Sequence, residues 1–134
     1  MGRRPPKVVR REEKSCRTHQ RSVHRVPGLS PGVIAKIAVI EHNELDPGEV
    51  ATALRLWRTA ARAGVSRPPG CGHVGCCGYG PRAQLQQAID HLSGSAKLAL
   101  QRVVRELDQI YLSHTLPDSD ADPQAPWWER RARR

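Results

Sequence analysis

The chain is short of aromatic residues. Its 134 positions include no phenylalanine and only five aromatic side chains: Trp57, Tyr79, Tyr111, Trp127 and Trp128. A hydrophobic core must therefore be built mainly from Leu, Val, Ile and Ala side chains, and in a chain of this length it will be small. Small cores are only marginally stable, so we expect a bound metal ion or self-association to contribute to stability.

Long hydrophobic runs are also missing. No segment approaches the roughly 18 apolar residues that a membrane-spanning helix needs, and the N-terminus lacks the apolar stretch of a secretion signal. Four cysteines, three of them crowded between positions 71 and 77, make a poor disulfide framework for a secreted protein. The sequence therefore predicts a cytoplasmic protein in a reducing compartment, with no membrane partner.

Residue sets that support catalysis are missing as well. We find no Ser-His-Asp combination, no paired catalytic carboxylates and no phosphate-binding loop. The glycines Gly78 and Gly80 belong to a cysteine-rich segment and follow no predicted strand, which excludes a nucleotide-binding glycine loop. The sequence therefore predicts a binding protein without enzymatic activity, and no small-molecule substrate is evident.

Positive charge is present in excess. The formal net charge is +9, and residues 1–26 alone carry nine basic and two acidic side chains. Low hydrophobicity and high charge predict that residues 1–29 form a basic arm that is disordered or weakly helical. Such an arm neutralises phosphates, which favours nucleic acid as a partner, although a tail that only maintains solubility is the alternative. The residues predicted to contact nucleic acid are Arg3, Arg4, Lys7, Arg10 and Arg11 in the arm, and Arg55, Arg58 and Arg62 on a later helix.

Start and stop signals divide residues 30–116 into helices, which predicts an all-α fold, a small bundle of three or four helices. The pair Ser30-Pro31 predicts a first helix over residues 31–42, because serine is a good N-cap and proline suits the first helical position. The same segment is rich in β-branched side chains, so a buried strand is the alternative.

Three further helices are predicted. The pair Asp46-Pro47 starts the second, which ends at Gly64, and Pro81 opens the third. Residues 93–95 break the chain before a final helix over about residues 96–114. Helical spacing predicts which positions face inward: Val50, Leu54, Trp57, Ala61, Leu85, Ala88, Ile89, Leu92, Leu100, Val103, Leu107, Ile110 and Tyr111.

Residues 117–134 are predicted to form a flexible tail with acidic residues, two tryptophans and a basic end. Trp127 and Trp128 together can bury a large area at a small cost in rotamer entropy, which predicts a docking anchor for a protein partner or for self-association. The alternative is that both indoles fold back onto the chain's own helices and complete a core that is short of aromatic residues.

A loop over residues 68–80 contains the segment Cys-Gly-His-Val-Gly-Cys-Cys-Gly-Tyr-Gly, which starts at position 71. Thiolate and imidazole are preferred ligands of tetrahedral zinc, and glycine lets neighbouring ligands converge on one ion. We therefore predict a structural zinc site. The local candidate ligands are Cys71, Cys76 and either His73 or Cys77, and a fourth ligand could come from Cys16, His19, His24, His91 or His114.

Two other interpretations of the cysteines remain open. They could be small, buried, reduced side chains in a glycine turn. They could also serve as a thiol redox sensor, although the segment has no Cys-x-x-Cys motif and Cys76-Cys77 could close only a strained disulfide.

The stretch from Cys71 to Cys77 resembles the central knuckle of zinc fingers of the ubiquitin-specific-protease (UBP) type. In that family the first two cysteines of the match bind zinc, which implies Cys71 and Cys76 as ligands here. The resemblance covers about seven residues, because Pro68 stands where the family has another cysteine and the helices predicted after Pro81 do not match its mixed α/β fold. Ubiquitin-tail recognition is therefore not implied.

The segment Cys-Cys-Gly-Tyr-Gly-Pro-Arg and the Pro-Trp-Trp tail also resemble those of small uncharacterised actinomycete proteins, which implies no activity. The sequence thus predicts a small zinc-knuckle module that contacts nucleic acid or a nucleic-acid-associated complex. The alternative is a protein–protein adaptor or regulatory subunit that docks through its helical faces and the two tryptophans. A thiol redox sensor is the third hypothesis.

Overall fold

The computed structural model describes residues 26–66 and 80–134. They form four α-helices, α1 (Pro31–Asn43), α2 (Glu49–Ala63), α3 (Gly80–His91) and α4 (Gly94–Ser113). Two short strands, β1 (Thr115–Pro117) and β2 (Arg131–Arg133), and one 3-10 turn (Trp127–Glu129) follow α4. The predicted mostly helical class is confirmed, and the small sheet is an addition that the sequence did not predict.

The first helix begins as predicted. The Oγ of Ser30 accepts a hydrogen bond from the N–H of Val33 at 3.3 Å, and Pro31 occupies the first helical position. The alternative of a buried strand is therefore wrong. Of its β-branched residues, Ile37 is buried, Val33, Ile34 and Ile40 pack partly buried against the core, and only Val39 is exposed.

The second helix begins at Glu49 rather than at the predicted pair Asp46-Pro47. Its N-cap is Gly48, which has no side chain to satisfy the free N–H groups of the first turn. The Oε2 of Glu41 in α1 accepts the N–H of Val50 at 3.1 Å instead. A carboxylate from the neighbouring helix thus replaces the local cap, and its negative charge suits the positive end of the helix dipole.

The core lies where α2 packs against α3 and α4, and α1 contacts all three of these helices. Trp57, Tyr111, Leu85 and Leu100 are the largest fully buried hydrophobic side chains. Every position predicted to face inward is buried, except Ile110, which is partly buried. The hydrophobic periodicity therefore identified the core correctly.

Both ends of the described part differ from the predicted boundaries. Residues 26–29 are not a disordered arm, because Leu29 is buried in the core and its N–H donates to the carbonyl of Val26. Residues 117–134 are not a free tail either, because β2 pairs antiparallel with β1 and places Arg131 opposite Pro117. The physical reason is that folding back buries apolar surface that the helices alone leave in water. Residues 1–25 of the predicted arm lie outside the described residues.

No helix in residues 26–66 or 80–134 is both long enough and apolar enough to cross a lipid bilayer.

Candidate nucleic-acid interface

Several predicted site residues lie outside the described residues. These are the local zinc ligand candidates Cys71, His73, Cys76 and Cys77, the more distant candidates Cys16, His19 and His24, and the five arm residues Arg3, Arg4, Lys7, Arg10 and Arg11. Of the histidines considered as a further zinc ligand, His91 and His114 are described, and both are exposed. Within residues 26–66 and 80–134, no group of three or more His, Cys, Asp or Glu side chains could hold a metal ion.

The three arginines of α2 lie on the side of the helix away from the core. Arg55 and Arg62 are exposed and Arg58 is half-buried, whereas the buried face of the same helix contains Leu54 and Trp57. The spacing of three and four residues places the guanidinium groups along one side of the helix. Among the described residues, none of the three forms a salt bridge with a carboxylate.

The C-terminal arginines reach the same end of the molecule as Arg62. A Cβ atom placed on Gly64, which ends α2, would lie 2.9 Å from the carbonyl oxygen of His114 and 3.4 Å from the Cγ of Arg133. The N–H of Arg134 donates to the same His114 carbonyl at 3.1 Å. Strand β2 therefore runs past the C-terminal end of α2. We call Arg55, Arg58, Arg62, Arg133 and Arg134 the basic surface.

A buried ion pair that was not predicted from the sequence lies against residues 117–134, which we call the C-terminal segment. The Nε and Nη2 of Arg82 donate to the two carboxylate oxygens of Asp108 at 2.9 and 3.1 Å. The indole N–H of Trp57 donates to the Oδ1 of the same carboxylate at 3.0 Å, and the Nη1 of Arg82 donates to Gln86 at 3.1 Å. Asp108 lies on the inward face of α4, next to Leu107, and an acidic residue at such a position was the available signal for a buried partner.

The same arginine holds the two C-terminal tryptophans. Its Cζ lies 4.7 Å from the ring centroid of Trp128 and 5.8 Å from that of Trp127, which is cation–π geometry. The hydroxyl of Tyr111 donates to the carbonyl of Trp128 at 2.6 Å, and desolvation by burial raises the pKa of that phenol above its ordinary 10.0. We call Trp57, Arg82, Asp108, Tyr111 and Trp128 the aromatic junction.

This arrangement corrects the predicted docking role of Trp128. Its side chain is 9% exposed and belongs to the core, so it is not a free anchor for a partner. The alternative, in which the indoles fold back onto the chain's own helices, describes the observed position. Trp127 is only partly buried and lines a surface cleft.

That cleft, the C-terminal cleft, has a volume of about 400 Å³. Its lining combines the indole of Trp127 with Arg130, Arg131 and Asp118. The Nε and Nη2 of Arg131 donate to the hydroxyl and the carbonyl of Thr115 at 2.8 and 2.9 Å, so the plane of its guanidinium group is fixed.

A second concavity, the α1–α2 groove, has a volume of about 410 Å³. It is mainly apolar, with Ile34, Ile37 and Val50 in its lining, and it contains the carboxylate of Glu41. Desolvation by burial raises the pKa of Glu41 above its ordinary 4.5, and the hydrogen bond from the N–H of Val50 opposes this shift.

The described residues thus offer guanidinium groups on an open surface, together with one indole in a cleft, which is a chemistry suited to phosphates and bases. No protein family, no curated protein and no solved structure matches the chain.

Proposed function

We propose that the protein binds nucleic acid through its N-terminal arm and the basic surface. The observation that carries this proposal is the position of Arg133 and Arg134 beside Gly64, which ends α2 two residues after Arg62. Several guanidinium groups on one surface neutralise neighbouring phosphates and release their counterions, which favours binding. Arginine also donates to phosphate in a bidentate manner.

The proposal includes a structural zinc ion in the segment that joins α2 to α3. Its ligands would be Cys71 and Cys76, together with either His73 or Cys77 and one ligand from elsewhere in the chain. The support is the donor chemistry of these residues and the local resemblance to a zinc knuckle. A reducing cytoplasm would keep these thiols available for the metal.

Binding to a labelled DNA duplex, measured by filter retention at several salt concentrations, tests the basic surface. The test variant carries Arg55→Gln, Arg58→Gln and Arg62→Gln together. We expect weaker binding and a salt dependence reduced by about 0.9 in logarithmic slope for each lost phosphate contact. The matched control, Lys97→Gln/Arg102→Gln/Arg105→Gln, removes the same charge from α4.

Deletion of residues 1–25 should reduce the affinity and the salt dependence further, because this segment carries seven of the nine net positive charges. The proposal is wrong if the wild-type protein does not bind duplex or single strands at low salt. The basic surface is not the binding site if the triple control variant of α4 weakens DNA binding as strongly as the triple arginine variant of α2.

Metal analysis of protein purified without a metal-affinity tag tests the zinc site. We expect nearly one zinc ion per chain, and we expect Cys71→Ser or Cys76→Ser to release it and to lower the melting temperature, because structural zinc contributes directly to folding. Cys77→Ser should have a milder effect. Metal-free protein whose melting is insensitive to a chelator would exclude a structural zinc site.

A second candidate function is a protein–protein adaptor, and the α1–α2 groove is the observation that favours it. Its apolar lining is open at the surface. Trp128 does not support this function, because it is buried. If nucleic-acid binding is absent while the protein self-associates in sedimentation experiments, the adaptor becomes the leading hypothesis.

A further inference from the structure

We propose that the C-terminal cleft holds one nucleotide of a single strand, with the base stacked on Trp127 and the phosphate on Arg130 and Arg131. This inference rests on the proposed function and adds to it the strand form that is recognised. The basic arm and the basic surface offer only charge, whereas the C-terminal cleft joins charge to an aromatic ring.

The indole of Trp127 is fixed in place before any ligand arrives. Its ring centroid lies 6.1 Å from that of Tyr111 and 5.8 Å from that of Trp128, with the two indoles edge to face at 85°. The guanidinium group of Arg82 adds a cation 5.8 Å from the Trp127 centroid. A ring held in this way loses little entropy when a base stacks on it, which is a favourable platform for single strands.

Two arginines flank this platform. Arg131 is oriented by its two hydrogen bonds to Thr115, and Arg130 is exposed at the surface. The cleft volume of about 400 Å³ lies within the range of small-ligand sites, roughly 300–1,000 Å³. The cleft therefore combines a volume in this range, an aromatic ring and positive charge at one place.

A carboxylate limits how much nucleic acid the cleft accepts. Asp118 also lines it, and its Oδ1 accepts the N–H of Asp120 at 3.0 Å. This negative charge opposes every phosphate in the cleft, and Arg130 and Arg131 together outweigh it by about one positive charge, so we expect one nucleotide rather than a run of them. In a duplex each base is already stacked between its neighbours, so the cleft favours single strands.

The test compares a thymidine strand of about 12 nucleotides with an abasic strand of the same length, because sites for single strands commonly span 4–16 nucleotides. Wild-type protein should prefer the base-bearing strand by about fivefold to a hundredfold, the range expected for one stacked base. In Trp127→Leu this preference should disappear while binding to the abasic strand is retained. Circular dichroism confirms that the variant is folded.

The variant Arg130→Gln tests the phosphate contact separately from the stacking contact. This side chain is exposed, so its substitution does not disturb the core. It should weaken binding of both strands by the same factor, whereas the control Arg105→Gln on α4 should change neither. The inference is overturned if wild-type protein binds both strands equally, or if Trp127→Leu retains the preference; the proposed function then still stands. Failure to bind any strand or duplex at low salt overturns both.

Discussion

Arg82 and Asp108 place opposite charges inside a protein that has little apolar material to spare. Their side chains are 7% and 13% exposed, so both ions have lost most of their hydration. The two-pronged contact between them, the indole N–H of Trp57 and the amide of Gln86 replace the lost water. Such a pair adds little net stability, but the loss of one partner leaves the other ion buried and uncompensated.

We therefore expect Asp108→Asn to lower the free energy of unfolding by about 3–5 kcal/mol, the range for breaking a buried ion pair. In an Arg82→Met background the same change should cost much less, because no cation is left unpaired. Urea unfolding of the wild type, both single variants and the double variant measures this coupling. Additive effects would show that the two charges do not depend on each other.

Glu41 is the other buried acidic residue of the described part of the chain. Because burial raises its pKa above 4.5, the folded state binds the proton more tightly than the unfolded state does. Its contribution to stability is therefore greatest at low pH, and it is lost as the pH rises through the pKa of the folded state.

The variant Glu41→Gln keeps an oxygen that accepts the N–H of Val50 but carries no charge. At neutral pH we expect its free energy of unfolding to equal or exceed that of the wild type. The difference should shrink as the pH falls below 4.5, where Glu41 is neutral in both states. Urea unfolding across this pH range measures it, with the exposed Glu44→Gln as control. This account would be contradicted if Glu41→Gln were less stable than the wild type by the same amount at neutral and at low pH.

At the level of elements, local signals predicted most of the helices. The cap at Ser30, the stop at Gly64 and the break before α4 are encoded by a few adjacent residues, so a single sequence suffices to find them. The start of α2 was misplaced because its cap comes from Glu41 in another helix. Tertiary contacts of this kind leave no local pattern.

The candidate site was less predictable than the helices. Strands β1 and β2 have three residues each, too few to show an alternating pattern, and they pair only because residues 118–130 turn the chain back. The basic residues of α2 could be identified from their spacing, but the position of Arg133 beside Gly64 could not. The partnership of Arg82 with Asp108 also depends on how α3 packs against α4.

The junction between α2 and β2 depends on the absence of a side chain at Gly64. Gly64→Ala must place a Cβ 2.9 Å from a backbone oxygen of His114 at a φ of +68°, so both sterics and backbone strain oppose it. Gly94→Ala has a similar φ of +60° with nothing within 4 Å, so it pays only the backbone strain.

We expect the Gly94 variant to lose about 1–2 kcal/mol of unfolding free energy and the Gly64 variant to lose clearly more. Both substitutions add one methyl group at a glycine with positive φ. The difference between their losses in unfolding free energy, measured by thermal or urea unfolding, therefore isolates the effect of the α2–β2 contact. Equal losses of unfolding free energy in the two variants would mean that the contact between Gly64 and His114 shifts to accept the Cβ without a cost in stability.

At the level of the whole molecule, the C-terminal segment is part of the core rather than an appendage. Helices α2, α3 and α4 contribute Trp57, Arg82 and Tyr111 to one junction, and Trp128 closes it. A chain with so few aromatic residues uses three of its five at this one place. The stability of the bundle therefore depends on the docking of the segment that follows β1.

Trp128→Ala should lower the free energy of unfolding by about 3–5 kcal/mol, as expected for the loss of a buried tryptophan. Trp127→Ala should cost less, because its side chain is only partly buried. The control Leu98→Ala removes an apolar side chain that is 68% exposed and should change stability by at most about 0.5 kcal/mol. If Trp128→Ala behaves like this control, the C-terminal segment does not belong to the core.

The aromatic junction also determines what intrinsic fluorescence can report. The chain has three tryptophans, and all three lie in or beside this junction, with the Tyr111 centroid 4.9 Å from that of Trp57 and 6.1 Å from that of Trp127. Emission from the unlabelled protein therefore originates almost entirely at one place. Separation of the C-terminal segment from the helices would expose Trp128 to water and shift its emission to longer wavelength, whereas unfolding of α1 alone, which contains no tryptophan, would leave the spectrum nearly unchanged.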